Sequence, residues 1–330
     1  MFKARLISRG SYVPEKVLTN EEIIGRCNEF NSNPTALTPK KIEEVIGAVE
    51  RRDAREDQAC SDLVVEAAKN VLEAADVKAG KLDRIFVSST PGDFFEPSTA
   101  SVVQYKLGAR CPAIDIRASC VGWVAGLDYA FHRVDRGEDK LILVVAGTKI
   151  GKLAVENPFH RSIFGDGAGG ALVGASDKEN VRATHFWTGG QYYAVITLPH
   201  EHSVHPADIP TEYEGRFYMG GREAIFRALR EYFPEFLDTL FERAGCTRDD
   251  VDHAFLHQAS GPIFDETIRL AGIPEEKVNR DYREYGNTIS AELPISLDDA
   301  VRRGTVARGD RLLLVTYGAG FTCGGVVFDY

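Results

Sequence analysis

The chain has 330 residues, 44% of them hydrophobic, and a formal net charge of −10; the length exceeds one simple core, and the negative balance speaks against a nucleic-acid surface. Its six cysteines, at 27, 60, 111, 120, 246 and 323, are scattered and form no C-x-x-C pair, which speaks against a zinc site or a disulfide framework. Neither a long apolar leader after Met1 nor a bilayer-length apolar run is present, so a cytoplasmic protein without membrane partners is expected.

Residues 3–9 read as a strand left through the turn Ser11-Tyr12-Val13-Pro14. Residues 20–52 are polar and irregular apart from a helix predicted over Pro39–Ile46. Leu63, Val64, Ala67, Ala68, Val71, Leu72 and Ala75 recur at helical spacing and predict a helix over 61–76, capped by Ser61 and Asp62. A strand at 82–87 then leads into a helical stretch ending near Leu107-Gly108, the short run Pro112–Ile116, Cys120, and the apolar strand 140–147.

Between 148 and 220 one motif stands out, Gly165-Asp166-Gly167-Ala168-Gly169-Gly170. It fits G-x-G-x-x-G, but a dinucleotide site needs a helix next and Ala171–Ala175 reads as a strand, so a tight turn before a buried strand is expected. A broad apolar face predicts a helix over 222–244, kinked at Pro234. The pattern of 82–147 then recurs: a strand at 251–256, a helical stretch ending near Ala271-Gly272, Val278-Asn279, Asn287, and an apolar strand before Gly318.

From Cys120 to Gly137 is 17 residues, as it is from Asn287 to Gly304. The chain is therefore read as an α/β protein of two duplicated βαβα halves, 1–175 carrying Cys120 and 176–330 carrying His257 and Asn287. Cys120 and Asn287 would occupy matching helix starts facing one another across a pseudo-two-fold axis.

A thiol at a helix start feels unpaired N–H groups and the positive end of the dipole, which favour the thiolate. The other five cysteines are read as buried structural residues. His257 ends a strand-like run, where catalytic groups emerge in α/β bodies, although a lone His is more often a packing residue. Asn287 after Tyr285-Gly286 has the alternative of a cap or turn residue. The cluster His200-Glu201-His202 with His205 lacks the i, i+4 spacing of H-E-x-x-H and lies among prolines, so no metal is expected.

The segments around Cys120, His257-Gln258-Ala259, Tyr285-Gly286-Asn287-Thr288, Gly165–Gly169 and Gly318-Ala319-Gly320-Phe321 resemble the β-ketoacyl-acyl-carrier-protein synthase III family. The likeness spans nearly the whole chain and implies a thiolase-like fold, a five-layer αβαβα body and a homodimer. It also implies acyl-CoA and acyl carrier protein as thioester partners and no cofactor. By the same resemblance Cys120 takes the acyl group, His257 and Asn287 stabilise charge on the second thioester's carbonyl oxygen, and the backbone N–H groups of Cys120 and Ala319 form the other oxyanion hole.

The chain departs from the family pattern at three places. Gly47-Ala48-Val49-Glu50-Arg51 is preceded by Lys40-Lys41-Ile42 with no Trp to stack on CoA adenine. The family's His-Gln-Ala-Asn-x-Arg, whose Arg helps hold the carrier protein, becomes His257-Gln258-Ala259-Ser260-Gly261-Pro262. Glu96 in Asp93-Phe94-Phe95-Glu96-Pro97-Ser98-Thr99 stands where a Phe is common, and this stretch is similar to the enzymes that join two acyl thioesters in bacterial olefin and α-pyrone biosynthesis.

In those enzymes the matching Glu crosses the dimer interface as a base; read alone, Glu96 would be a loop carboxylate at the start of the following helix. The expectation is Claisen condensation of two acyl thioesters through acyl-Cys120, with Glu96 removing the α-proton. The alternative is a decarboxylative synthase using malonyl on a carrier protein, which needs no base. A papain-like protease has Cys, His and Asn in the same order, but its local sequence around Cys is absent. A catalytically silent binding homologue would fail to acylate Cys120. Phe94, Phe95 and Tyr218 are candidates for setting acyl-pocket depth.

Overall fold

The computed structural model describes residues 2–30, 37–150, 158–197, 218–219 and 222–330. Two sheets carry the architecture. The first has the order β1-β7-β6-β4-β5 and is built from β1 (Ala4–Tyr12), β4 (Arg84–Thr90), β5 (Ala113–Asp115), β6 (Leu141–Thr148) and β7 (Gly167–Ala175). The second has the order β8-β13-β12-β11, from β8 (Val181–Thr188), β11 (His253–Leu256), β12 (Arg311–Gly318) and β13 (Thr322–Asp329). Small two-stranded pairs join β2 (Val17–Thr19) to β3 (Glu50–Arg52) and β9 (Ile196–Thr197) to β10 (Tyr218–Met219).

The two sheets repeat one wiring. In the first, β4 runs parallel to β6, β6 antiparallel to β7, and β7 antiparallel to β1. In the second, β11 runs parallel to β12, β12 antiparallel to β13, and β13 antiparallel to β8. A parallel bridge from Ala254 to Val278 stands where β5 pairs with β4. The duplication seen in the residue pattern is therefore a duplication of topology.

Helices fill three layers around these sheets. The middle layer is α5 (Gly122–Asp135) and α10 (Glu292–Arg302). Trp123, Val124, Leu127 and Phe131 of α5 and Leu293, Ile295 and Leu297 of α10 share one core with Phe86 and Val144 of the first sheet and Phe255, Leu314 and Phe328 of the second. A helix pressed between two sheets is buried nearly all round, and Leu293 to Asp298 is buried without a break, the polar Ser296 and Asp298 included.

Outside the first sheet lie α3 (Cys60–Ala74) and α4 (Thr99–Leu107), whose Leu63, Val64, Ala67, Val71 and Val103 pack on Ile85, Leu143 and Leu172. Outside the second lie α7 (Arg222–Ala244), which continues through Pro234, and α8 (Gly261–Ala271). The sequence of layers is αβαβα, as expected. β6, a continuous apolar run flanked by helices on both faces, is buried from Ile142 to Thr148.

Two expectations for the outer segments change. Residues 20–52 are more regular than their polarity indicates, with α1 (Asn20–Phe30) preceding α2 (Pro39–Ile46). Among the described side chains of α1, Ile23 and Cys27 are the fully buried apolar ones, too sparse a stripe to show as helical periodicity. α2 has its expected limits because both ends are specified: the Thr38 hydroxyl accepts from Lys41 N–H at 3.1 Å, and Gly47 closes the helix at φ +91°.

The glycine-rich segment is no turn: β7 begins at Gly167, and its glycines let other backbone approach. A Cβ on Gly169 would stand 2.9 Å from Ile295 N, and one on Gly165 would fall on the Tyr285 carbonyl oxygen. Gly165→Ala is expected to cost about 2 kcal/mol or more, since backbone on both sides cannot yield, and to lower the thermal midpoint measured by circular dichroism. An unchanged midpoint would contradict this close packing.

Candidate active site

The middle layer ends in two facing turns. Before α5 the chain makes a 3-10 turn over Ser119–Val121, and before α10 it makes another over Ile289–Ala291. Each turn starts on a non-glycine residue with positive φ, Ser119 at +47° and Ile289 at +55°, and the two turns touch. The Val121 and Ala291 backbones are nearly superposable, at φ −81°, ψ −10° and φ −81°, ψ −11°.

This corrects the expected equivalence of Cys120 with Asn287. The structural counterpart of Cys120 is Ser290, and Asn287 lies three residues upstream in the chain. Helix α5 has 14 residues and α10 has 11, so counting back equally from Gly137 and Gly304 overshoots by about one turn.

Cys120 sits in the turn directly before α5, which docks so closely that a Cβ on Gly122 would meet the Ser88 side chain. Thr316 of β12 donates its hydroxyl proton to the Cys120 carbonyl oxygen at 3.2 Å. The hairpin between β12 and β13 covers the same spot: a Cβ on Gly318 would lie 3.1 Å from Cys120 N and 3.5 Å from its Sγ. Ala319 follows in that turn, with Gly320 at φ +79° and Phe321 at φ +41°.

His257 leaves the end of β11 with its N–H donated to Val315 O at 2.9 Å, which carries the parallel ladder one residue further. The ring is buried, packs edge-on to Tyr317 with centroids 5.1 Å apart, and lies close enough to the Cys120 side chain to feel its charge. Its Nδ1 stands 2.6 Å from Oε2 of Glu292, the first residue of α10.

Asn287 is fixed by its backbone, donating to Ile163 O at 2.8 Å and accepting from Gly165 N at 3.2 Å. Its Oδ1 accepts from Ile289 N at 2.7 Å, and its Nδ2 reaches the Ala259 carbonyl at 3.4 Å, two residues beyond His257. The asparagine is thus both a turn former and an amide turned toward the His257 strand. Gln258 ties the end of the His257 strand to the segment that leads to Asn287, its Oε1 accepting from the N–H groups of Asp281 and Tyr282 at 3.0 Å each.

The thiol, the imidazole and the amide therefore converge where the two halves meet. Such an arrangement supplies a nucleophile at a helix start and N–H donors near a carbonyl oxygen. The other cysteines are unsuited to nucleophilic work: burial pushes the thiols of Cys27, Cys60, Cys111 and Cys246 up, and Cys323 to about 12.

Glu96 is not part of this cluster within one chain. It is exposed on the loop between β4 and α4, beside Phe94 and Phe95, which are 60% and 66% exposed. It does not cap α4 either: Ser98 Oγ accepts from Ser101 N, and the Asp115 carboxylate accepts from Thr99 and Ala100 N–H at 2.9 and 2.7 Å. Burial raises the Asp115 pKa, with Asp93 and Glu96 adding to the rise.

The change from the family's Asn to Ser260 with Gly261 has a packing counterpart. A Cβ on Gly47 would stand 2.9 Å from Gly261 Cα, so the end of α2 and the start of α8 meet backbone to backbone. His200, Glu201, His202 and His205 lie outside the described residues, as does the Tyr218 side chain. Among the described residues no group of His, Cys, Asp or Glu could hold a metal ion, and no helix is long and apolar enough to cross a membrane.

Glu292 was not legible as a site residue. In the sequence it is one acidic residue in the first turn of a helix, and only the fold brings it to His257.

Models of 3-oxoacyl-(acyl-carrier-protein) synthase III match residues 114–190, and its C-terminal model matches 241–330. The chain is 33% identical over 343 residues to beta-ketoacyl-(acyl-carrier-protein) synthase III of Alkalilimnicola ehrlichii, covering 100% of both. Its structure is similar to beta-ketoacyl synthase III of Thermus thermophilus, with TM-score 0.89, 30% identity and 98% of each chain covered. It is also similar in fold to cerulenin-bound OleA of Xanthomonas campestris, with TM-score 0.86, 22% identity, and 100% of this chain and 98% of that one covered.

Proposed function

The chain belongs to the 3-oxoacyl-(acyl-carrier-protein) synthase III family of carbon–carbon bond-forming acyltransferases, and we propose that it joins two acyl thioesters by Claisen condensation through an acyl group on Cys120. The convergence of Cys120, His257 and Asn287 at the meeting point of the two halves carries this assignment. In the first half-reaction the Cys120 sulfur attacks a thioester carbonyl carbon, the acyl group moves to Sγ, and the CoA or carrier thiol leaves. The backbone N–H groups of Cys120 and Ala319 would hold the oxyanion.

In the second half-reaction a base removes the α-proton of the second thioester. The enolate oxygen rests against His257 and Asn287 while its carbon attacks acyl-Cys120, expelling the Cys120 sulfur and leaving a β-ketoacyl thioester. Glu96 of a second subunit is the proposed base. Its loop is anchored at Asp93, whose carboxylate accepts from Ser61 N at 3.0 Å and whose N–H donates to Thr99 Oγ1 at 3.2 Å, while Phe94 to Pro97 project outward.

Beside this loop runs β5, an edge strand with Ile114 48% exposed, next to Tyr105 at 83% and Tyr129 at 55%. An unpaired edge with exposed apolar neighbours suits pairing with a second copy, and such pairing would desolvate Glu96 and strengthen it as a base. We therefore assign a homodimer in which each Glu96 serves its partner's Cys120.

A decarboxylative reading with a malonyl-carrier thioester is compatible with the 33% identity to the beta-ketoacyl-(acyl-carrier-protein) synthase III of Alkalilimnicola ehrlichii. Acyl-CoA alone separates the two, since only the non-decarboxylative enzyme makes product from it. Glu96→Gln should acylate Cys120 normally and lose condensation of two acyl thioesters by roughly a hundred-fold or more. Mixing Glu96→Gln with Cys120→Ala subunits should restore activity, because one mixed site holds both intact groups. Full condensation by Glu96→Gln would return the enzyme to the decarboxylative reading.

A further inference from the structure

Glu292 is a buried carboxylate, 5% exposed, to which no step above gives a role. Both of its oxygens are directed at the strand end that carries the imidazole: Oε2 stands 2.6 Å from His257 Nδ1, and Oε1 accepts from Gln258 N at 2.5 Å. The hydrogen bond to Gln258 fixes the carboxylate independently of the ring. Since Nδ1 faces Glu292, the other ring nitrogen is left for the Cys120 side chain.

We propose that Glu292 is a positioning residue for His257, fixing the ring's orientation and keeping Nδ1 protonated so that the opposite nitrogen is presented to the thioester carbonyl. This rests on the reading in which His257 serves condensation. A buried acid behind an imidazole does the same in hydrolytic triads, where it sets tautomer and orientation without touching substrate.

The surroundings make Glu292 the charge that counts. The ring is faced by Cys120 from the turn before α5, Tyr317 from β12 and Glu292 from α10; behind Glu292 stand Asp281 and Tyr282 at α9 (Tyr282–Tyr285). Burial pushes the Tyr317 and Tyr282 hydroxyls up, so both are neutral. Burial likewise pushes Asp281 up to about 7, against its hydrogen bond from Ser296, so it carries only part of a charge near neutrality.

Burial alone would lower the His257 pKa, and the Glu292 carboxylate and Cys120 side chain outweigh it, raising it to about 10. The imidazolium is therefore favoured across the neutral range and is lost as pH rises through that value.

The test is Glu292→Gln, which keeps size and hydrogen bonding and removes the charge. With labelled histidine, the NMR titration midpoint of His257 should fall by at least about one pH unit, and the basic limb of the condensation pH profile should move to lower pH with it. Condensation kcat should fall on the order of a hundred-fold, while the acyl-enzyme still forms by intact mass. A merely structural role would lower thermal stability and leave the midpoint in place.

Glu292→Asp, which withdraws the carboxylate by one methylene, should give a smaller fall in the same titration and serves if the Gln variant does not fold. An unmoved midpoint in either folded variant overturns the proposal. If instead His257→Ala condenses normally while Glu292→Gln still shifts the midpoint, the condensation role of His257 fails and its coupling to Glu292 stands.

Discussion

Cys120→Ala protein is expected to show no acyl adduct by intact mass with any thioester, and to lose condensation on the order of ten-thousand-fold or more. The argument is one of access and charge together. Cys120 is the half-buried cysteine at a helix start, beside His257 and framed by the Gly318 turn. The other thiols are held in their protonated form by burial, so none can take its place. Cys111→Ala and Cys323→Ala should retain the adduct. An adduct that survives on Cys120→Ala would place the nucleophile elsewhere, and the full condensation assignment would fall with it.

The second large effect is expected at His257 and Asn287. Their alanine variants should form acyl-enzyme yet lose condensation by on the order of a hundred-fold or more, the cost of removing one oxyanion donor. The pH dependence separates the two. Burial depresses the His257 pKa, but Glu292 and Cys120 reverse this and raise it from 6.5 to about 10.

A raised pKa means that the imidazolium's contribution to stability is complete below the unfolded value and lost as pH rises through the folded one. Wild-type protein and Asn287→Ala should thus lose stability and condensation rate as pH approaches about 10, and His257→Ala should lack that stability limb. Its appearance unchanged in His257→Ala would assign the titration to another group.

The fold was legible because its repeat is written in apolar strands and glycine stops. Residues 85–87, 142–147, 254–256 and 312–317 are buried between layers and are therefore almost wholly apolar, and both copies show it. Cys120 and His257 were legible for a related reason: each lies at the end of such a strand or the start of the helix beyond it. Asn287 was found by a spacing that holds in the sequence and fails in space, since α10 is a turn shorter than α5. α1 was missed because its buried stripe is only a few residues wide.

What the sequence determined by itself is therefore the layered α/β body, its duplication and the chemistry-bearing side chains at strand and helix ends, because local burial and capping write those into residue type. What only the tertiary structure decided is distance between segments far apart in the chain: Ser290 rather than Asn287 opposite Cys120, closely packed backbone rather than a tight turn at the glycines of 165–170, and Glu292 against His257. Glu292 lies 35 residues beyond His257 and in the sequence reads as an ordinary first-turn carboxylate. Packing α10 between the sheets buries that carboxylate where water cannot solvate it, and a buried charge must find a partner. The imidazole at the end of β11 is the partner the fold supplies.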